Sequence, residues 1–291
     1  MRDEHPLPGT DHVVDGVRLH VVRHGSGPGV PVLLLHGFPT SSYLWRDVQR
    51  DLGPRHPTYA VDLLGLGCSE RPRAARYDHA SQARLMLSLL TSLGLDRVAV
   101  VAHDVGGAVA VHLAALAPER VAALVLVDTP LHPEVWPVPL VRLQSLPLLG
   151  EAQGTLSRLV PSLGRRLLAT ALGRGLKATS FTPKTLGHYA APLLSPDGIR
   201  GMLAVARAAD PGAVREAFGL VAAEPPPSLV LWAAEDAWFS PAYGRRVAGE
   251  LRGASYVEVA DAGHFLPEDR PERVAEEVEG FLAEVATAAP A

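Results

Sequence analysis

Short apolar runs alternate with longer amphipathic segments along most of the chain. Six runs of mainly Val, Leu and Ala stand out, each ending in turn residues: PVLLLHG, TYAVDLLG, RVAVVAHD, RVAALVLVD, PSLVLWAAED and ASYVEVADAGH. Near-continuous apolar runs of this length, separated by helical patterns, are typical of strands buried on both faces of a parallel sheet. The pattern therefore predicts an α/β fold.

The alternation is interrupted once, between Pro130 and Pro227. That segment shows no comparable strand, and LGEAQGTLSRLV and DGIRGMLAVARAA within it have helical spacing. Prolines stand at both borders, in DTPLHP and EPPPS, where they stop regular structure from running through. We expect residues 1–129 and 227–291 to form the core, and residues 130–226 to form a helical cap over the carboxyl edge of the sheet.

The composition narrows the classes of function. The chain has 291 residues, of which 47% are hydrophobic and 20% charged, so it can bury a large core. A formal net charge of -4, with no Lys/Arg block longer than two, offers no binding surface for nucleic acid or an anionic membrane. Cys68 is the only cysteine, which excludes an internal disulfide and a multi-thiolate metal site. No His, Asp or Glu group has ligand spacing, so we expect neither a metal nor a cofactor.

Two segments bear on localisation. The start MRDEHPLPGT carries acids and prolines where a signal peptide would need a basic start and an apolar stretch. The long apolar segment 98–117 contains His103, Asp104 and His112, which are costly at bilayer depth. We expect a cytoplasmic protein with no membrane span.

Polar residues follow the carboxyl ends of the predicted strands, in HGFPTSSYLW, DLLGLGCSE, HDVGG, DTP, EDAWFS and AGHFLPED. In a parallel sheet these loops converge on one crevice, which is where the chemistry takes place. Two acids, Asp104 and Asp236, and one histidine, His264, fall at separate strand ends. Their order along the chain is acid, acid, histidine.

The residues around Asp104, AHDVGGAV, match a nucleophile elbow, a sharp turn that exposes one side chain and needs small neighbours. Together with HGFPTSSYLW, DLLGLGCS and AGHFLPED, this stretch resembles the α/β-hydrolase superfamily over residues 12–285. Within it, an aspartate at the elbow resembles the branch of epoxide hydrolases and haloalkane dehalogenases. The resemblance implies a mostly parallel central sheet flanked by helices, with the cap inserted after the sixth strand.

The resemblance also implies a mechanism. A carboxylate is anionic at neutral pH, so Asp104 could displace a leaving group from an sp3 carbon and form an ester. His264, oriented by Asp236, would activate the water that hydrolyses this ester. The main-chain N–H groups of Phe38 and Val105 would stabilise the oxyanion. The expected partners are a small apolar organic substrate and water.

Several assignments stay open. Asp128 is the alternative acid, because a subset of haloalkane dehalogenases places the acid after the preceding strand. Asp104 could instead be the N-cap of the helix VGGAVAVHLAALA. His36 and His103 are interpreted as structural residues that hydrogen-bond the loops. The sequence does not indicate an oligomeric state.

The leaving group is the least determined feature. Haloalkane dehalogenases usually have Trp where this chain has Val105, and many have Asn or Glu where it has Phe38. Epoxide hydrolases rely on two cap tyrosines, and this cap has one, Tyr189. The candidates for a second donor are Trp136, His132 and His188. We therefore expect Trp136 and Tyr189 to bind the substrate.

Ring strain assists epoxide opening, so an epoxide hydrolase is the first hypothesis and a haloalkane dehalogenase the second. A biosynthetic lyase or cyclase, or a ligand-binding protein, on the same scaffold is the alternative of another class.

Overall fold

Eight β-strands form the central sheet in the computed structural model, which describes residues 9–136, 146 and 149–288. The strands are β1 (Thr10–Val14), β2 (Val17–His24), β3 (Val32–Leu35), β4 (Thr58–Val61), β5 (Val98–His103), β6 (Val121–Val127), β7 (Ser228–Ala233) and β8 (Ser255–Val259). They lie in the order β1-β2-β4-β3-β5-β6-β7-β8. β2 runs antiparallel to β1 and β4, and the remaining pairs are parallel.

The six predicted strands are β3 to β8, so the α/β prediction is confirmed. β1 and β2 are not among the six. They form an antiparallel hairpin at the sheet edge, where β1 is largely exposed and therefore lacks an apolar run. Asp15 and Gly16 form the turn with φ of 49° and 78°. An Asp-Gly pair between two short strands is the local signal that would have predicted it.

Helices cover both faces of the sheet and fill the segment between β6 and β7. The described helices are α1 (Arg46–Leu52), α2 (His79–Ser92), α3 (Val105–Leu116), α4 (Leu149–Leu159), α5 (Pro161–Gly173), α6 (Pro183–Leu193), α7 (Pro196–Arg207), α8 (Pro211–Ala223), α9 (Pro241–Glu250), α10 (Leu266–Asp269) and α11 (Pro271–Ala288). Helices α4 to α8 are inserted after the sixth strand, as predicted. The last of them, α8, packs on α3 of the core through the fully buried Phe218.

Two apolar cores lie on opposite faces of the sheet. Leu33 and Leu35 of β3 face the core shared with α2 and α3, whereas Leu34 faces the core shared with α1 and α11. All three side chains are fully buried, which explains why these strands have continuous apolar sequences. The parallel register brings the carboxyl ends of β3, β5, β6, β7 and β8 to one edge.

Within the described ranges, no helix is long and apolar enough to cross a membrane. Residues 1–8, to which the expectation of a missing signal peptide refers, lie outside the described residues.

Candidate active site

Asp104 lies in the sharp turn between β5 and α3. Its backbone has φ 49° and ψ -125°, a conformation that costs a residue other than glycine about 1–3 kcal/mol. The turn needs glycine behind it, because a Cβ on Gly106 would lie 2.5 Å from the carbonyl oxygen of Leu35. The side chain of Asp104 caps no N–H deeper in α3, so the strained turn serves to orient the carboxylate rather than to start the helix.

Two main-chain N–H groups hold the carboxylate of Asp104. The amide of Phe38 donates to Oδ2 at 2.9 Å, and the amide of Val105 also donates to this carboxylate. A Cβ on Gly37 would lie 2.6 Å from the Cβ of Asp104, so glycine allows the two loops to approach this closely. The two donors assigned from the sequence therefore lie where negative charge on a carboxyl oxygen would need them.

His264, in the loop after β8, is fully buried and is held by Asp236. Its Nδ1 donates to Oδ2 of Asp236 at 2.9 Å. The other carboxyl oxygen of Asp236 accepts from the amides of Trp238 and Phe239 at 2.7 and 3.0 Å. With the proton on Nδ1, Nε2 holds a lone pair, and it has no hydrogen-bond partner among the described residues. A general base needs such a lone pair.

Asp128, the alternative acid, is arranged differently. It is fully buried after β6, and its Oδ1 accepts from the amide of Ala233 at 2.8 Å. Its Oδ2 is buried with no hydrogen-bond partner in the part of the chain that the structure describes. Burial, and next the charge of Asp236, raise the pKa of Asp128 well above its ordinary value. Its surroundings therefore favour the neutral form of Asp128, and the geometry favours Asp236 as the partner of His264.

Asp104 and His264 influence each other electrostatically. Burial raises the pKa of Asp104, while His264 and the amides of Phe38 and Val105 act in the opposite direction. Burial acts to lower the pKa of His264, but Asp236 and then Asp104 outweigh it, so that pKa is raised above 6.5. Each group therefore favours the charged form of the other.

His36 and His103 hold the loops of the site, in agreement with their interpretation as structural residues. Burial keeps the pKa of His103 well below its ordinary value, which favours the neutral ring. Its Nε2 donates to the carbonyl oxygen of His264 at 2.8 Å. His36 accepts from the amide of Leu63 at 3.0 Å and donates to the carbonyl oxygen of Gly37 at 2.8 Å. These bonds fix the loops that carry the base and the amide of Phe38.

Asp269 holds the loop of His264 in place, and the sequence did not predict this role. This buried carboxylate accepts from the amides of Lys177, Ala178 and Thr179, the hydroxyl of Thr179 and the amide of Gly263, at 2.7–3.1 Å. It thus joins a loop of the inserted segment to the residue before His264. The acid in AGHFLPED was visible in the sequence, but nothing local indicated its partners.

Trp136 and Tyr189, expected to bind the substrate, use their polar groups inside the protein. The hydroxyl of Tyr189 donates to Glu268, whose carboxylate also accepts two bonds from Arg46 at 2.6 and 2.8 Å. The indole N–H of Trp136 donates to the carbonyl oxygen of Pro130 at 3.0 Å. Both polar groups therefore have acceptors within the protein, and a role of these two residues in binding the substrate stays a prediction.

Trp238 is an aromatic residue beside His264, and the sequence predicted no role for it. Its ring lies edge-on to His264, with 4.4 Å between ring centroids, and it is half-buried. Its indole N–H makes no hydrogen bond to the described residues. Trp238 therefore places an aromatic ring against His264.

The described residues contain no group of three or more His, Cys, Asp or Glu side chains that could hold a metal ion.

Comparison with known proteins agrees with this geometry. The family model for the alpha/beta hydrolase fold matches residues 30–271. Haloalkane dehalogenase 2 of Mycobacterium tuberculosis is 30% identical over 277 residues, which cover 89% of each chain. A soluble epoxide hydrolase of Corynebacterium sp. is 42% identical over 102 residues, 35% of each chain. The crystal structure of haloalkane dehalogenase DbeA from Bradyrhizobium elkani superposes with a TM-score of 0.82 at 26% identity, over 97% of this chain and 99% of that one. The chain belongs to the α/β-hydrolase superfamily, in its haloalkane dehalogenase-like branch.

Proposed function

We propose that this hydrolase opens a carbon–oxygen or carbon–halogen bond at a saturated carbon through an ester on Asp104. The observation that supports this most directly is the hydrogen bond from the amide of Phe38 to Oδ2 of Asp104. It keeps one carboxyl oxygen at the oxyanion position and leaves the other for attack. The substrate is a small apolar organic molecule, and water is the second reactant.

The first half of the reaction needs only the charged carboxylate. The free oxygen of Asp104 forms a bond to the substrate carbon, and the electron pair of the broken bond departs with the leaving group. Since a carboxylate needs no base to be nucleophilic, His264 is not required for this step. The product is an aspartyl ester whose carbonyl oxygen faces the amides of Phe38 and Val105.

The second half needs His264. Nε2 of His264 takes a proton from water, and the resulting hydroxide attacks the carboxyl carbon of Asp104. Negative charge develops on the oxygen held by the two amides, where the loss of one such donor typically costs about 2.7–4 kcal/mol of barrier. When the intermediate collapses, His264 returns the proton to the departing alcohol. One oxygen from water remains in Asp104.

Epoxides are the first candidate substrates. Phe38 and Val105 have no side-chain N–H with which to hold a halide, whereas ring strain helps an epoxide to open. Because Tyr189 is engaged with Glu268, an epoxide oxygen would need another hydrogen-bond donor, such as the indole N–H of Trp238. The alkoxide formed when the ring opens would take its proton from water. The similarity to a soluble epoxide hydrolase over 102 residues supports this choice.

Haloalkanes are the second candidates, favoured by two observations. The relative that is 30% identical over 89% of each chain is a haloalkane dehalogenase. The indole N–H of Trp238 can also donate a hydrogen bond to a departing halide. Such an anion requires only a hydrogen-bond donor and not a transferable proton.

The His264→Gln variant tests the ester directly. Asp104 should still be alkylated in this variant, but the ester should persist because no base activates water. We expect a covalent adduct on incubation with terminal epoxides or 1-bromoalkanes, measured by intact-protein mass spectrometry and assigned by peptide mapping. An epoxide adds its whole mass, and a bromoalkane adds its mass less that of HBr, so the same measurement identifies the leaving group.

Two controls make the result specific. His112→Gln removes a histidine outside the site and should leave no adduct, and His264→Gln combined with Asp104→Asn should not be labelled. Wild-type enzyme turning over in oxygen-18 water should gain the label in the Asp104 peptide. Product formation by the wild type without an adduct in the variant and without label in the peptide would contradict the proposal and favour a lyase or cyclase.

A further inference from the structure

Most of the large apolar side chains that are exposed to solvent lie in one short part of the inserted segment. Eight such side chains are exposed among the described residues, and five of them lie within residues 146–167: Leu146, Leu156, Leu159, Val160 and Leu167. Leu159 is 77% exposed, the largest fraction of the eight. Globular proteins rarely group exposed apolar side chains in this way unless the group meets a partner.

Four of these residues lie where α4 meets α5. Leu156 and Leu159 are three positions apart on α4 and therefore share a face. Val160 joins the two helices directly, since α5 begins at Pro161, and the two helices pack on each other. Leu167 follows in the second turn of α5. We refer to Leu156, Leu159, Val160 and Leu167 as the apolar tip.

Basic residues accompany the apolar tip. Residues 149–177 contain four arginines and one lysine but a single acidic residue, Glu151, whereas the whole chain carries a formal charge of -4. Arg165 and Arg166 directly precede Leu167, and Arg174 lies two turns after it. All three arginines are exposed. This part of the chain is therefore positive although the chain as a whole is negative.

These three arginines also differ from others on the surface in having no ion pair. None of the acidic side chains that the structure describes lies within ion-pair distance of Arg165, Arg166 or Arg174, whereas Arg55 and Arg245 each bind a glutamate. Their positive charge is therefore available to an anionic partner. The expectation that the chain offers no surface to an anionic membrane followed from the net charge of the whole chain, which hides this local excess.

We propose that the apolar tip and its arginines dock the protein on the surface of a membrane that contains anionic lipids. The apolar side chains enter the boundary between headgroups and acyl chains, and the guanidinium groups lie at the level of the lipid phosphates. Amphipathic helices that lie in a membrane interface combine the same two kinds of residue. The docking does not require an ester at Asp104.

Charge favours a membrane over a second copy of this chain as the partner. In a twofold contact the same surface patch meets itself, so the three arginines of one copy would face those of the other. Like charges brought together across a contact weaken it. An anionic bilayer instead supplies the opposite charge over the whole patch.

Sedimentation with vesicles measures the docking. We expect the full chain to bind vesicles of phosphatidylcholine with about 30% phosphatidylglycerol, and to bind vesicles of phosphatidylcholine alone at least about tenfold more weakly. Binding to the anionic vesicles should fall as NaCl is raised from about 50 to 500 mM, because salt screens exposed charges. Equal binding to both compositions, or binding to neither, would overturn the proposal.

A change at Leu159 tests the apolar contribution. Leu159→Ser should weaken binding to the anionic vesicles by about tenfold, because this side chain no longer leaves water. Leu220→Ser is the matched control: Leu220 is 69% exposed on α8, but the exposed Glu216 and Glu224 lie one turn to either side of it. This control should bind like the wild type, and equal losses in the two variants would show that the apolar tip is not the contact.

Paired arginine variants test the charge. Arg165→Gln combined with Arg166→Gln should weaken binding by about 20- to 30-fold, since one basic residue near an anionic surface contributes about fivefold. Arg97→Gln combined with Arg252→Gln is the control, because these exposed arginines precede β5 and β8, whereas the inserted segment begins after the carboxyl end of β6. It should change binding less than about twofold, and a loss as large as that of the first pair would reject a localised surface.

Analytical ultracentrifugation without vesicles tests a second copy as the occupant. Leu159→Ser should leave the sedimentation coefficient unchanged, and thermal unfolding checks that each variant is folded. A wild-type dimer that Leu159→Ser dissociates, together with no binding to anionic vesicles, would reject the membrane and identify a second copy as the partner.

Discussion

Asp104 and Asp128 are buried carboxyl groups at the ends of neighbouring strands, but their surroundings favour opposite charge states. Asp104 accepts from two amides and lies near His264, which counteract the rise in its pKa caused by burial. Asp128 has one amide donor and lies near Asp236. Burial, and next the charge of Asp236, raise its pKa well above the ordinary range. The number of donors and the sign of the nearest charge thus favour the ionised form more strongly at Asp104 than at Asp128.

The two candidate acids should respond differently to amide substitution. Asp236→Asn removes the charge that orients His264, and we expect kcat to fall by about 10⁴. Asp128→Asn replaces a neutral acid with a neutral amide whose oxygen can still accept from Ala233, so kcat should stay within about threefold. Steady-state kinetics of the two variants measure this, and a larger loss for Asp128→Asn would show that it is the acid of the triad.

The two half-reactions should depend differently on pH. Alkylation needs ionised Asp104, whose pKa is raised above 3.8, so its rate should be lost as pH falls through that raised pKa. Ester hydrolysis needs neutral His264, whose pKa is raised above 6.5 in the free enzyme. As pH falls, ester hydrolysis should therefore be lost first, at a higher pH than alkylation. Rapid-quench rates between about pH 4 and 9 separate the two.

The ester also removes one charge near the histidine. Because Asp104 is neutral once alkylated, the pKa that governs ester hydrolysis should be lower than that of His264 in the free enzyme, measured by NMR. Identical values would mean that Asp104 is not the group that carries the ester.

At the scale of elements, the short helix α10 connects the loop of His264 to the inserted segment. Glu268 and Asp269 are consecutive residues of α10, and both carboxylates bind that segment, Glu268 through Tyr189 and Asp269 through residues 177–179. The position of the base and the docking of the inserted helices therefore depend on the same four-residue helix.

Asp269→Asn should destabilise this connection. An amide can accept only on its oxygen, so either the two donors to Oδ2 or the three donors to Oδ1 would face an NH₂ group and lose their partner. We expect the free energy of unfolding to fall by about 3 kcal/mol, with a loss of kcat because the loop of His264 shifts. Urea unfolding and steady-state kinetics measure these effects.

Thr179→Val is the matched control, because it removes the side-chain donor alone and should cost about 1 kcal/mol. If Asp269→Asn were no more destabilising than Thr179→Val, the five hydrogen bonds would not act together.

At the scale of the whole molecule, the inserted helices are held on the core by polar contacts as well as by apolar packing. Tyr189 on α6 and Arg46 on α1 both bind Glu268, and Tyr43 packs edge-on against Tyr189, with 5.5 Å between ring centroids. Arg46 also lies over the ring of Tyr43 at 4.2 Å. This cluster joins three separate parts of the chain and lies beside the apolar core that contains Phe265.

Tyr189→Phe should therefore affect stability rather than chemistry. Loss of its hydroxyl removes one hydrogen bond to Glu268 and should lower the free energy of unfolding by about 1–2 kcal/mol. The rate of Asp104 alkylation should change less than about twofold. Thermal unfolding and single-turnover labelling measure the two effects, and a large decrease in alkylation at unchanged stability would restore Tyr189 as a donor to the leaving group.

The amino-acid sequence by itself determined the fold class, six of the eight strands, the insertion after the sixth strand and the elbow at Asp104. These features depend on local properties, since a strand buried on both faces needs a continuous apolar run and a sharp turn needs small residues at fixed offsets. The β1–β2 hairpin was missed because an exposed edge strand needs no such run.

Only the tertiary structure shows that His264 is hydrogen-bonded to Asp236 and not to Asp128. It alone shows that Tyr189 and Trp136 donate to protein groups, and that the ring of Trp238 lies beside His264. Each of these outcomes depends on the direction of a hydrogen bond or on the depth of burial. Both are set by groups far apart in the chain, as Glu268 is from Tyr189, 79 residues away. The pattern of polar and apolar residues indicates which side chains can react, whereas their charge and partners arise from packing between distant segments.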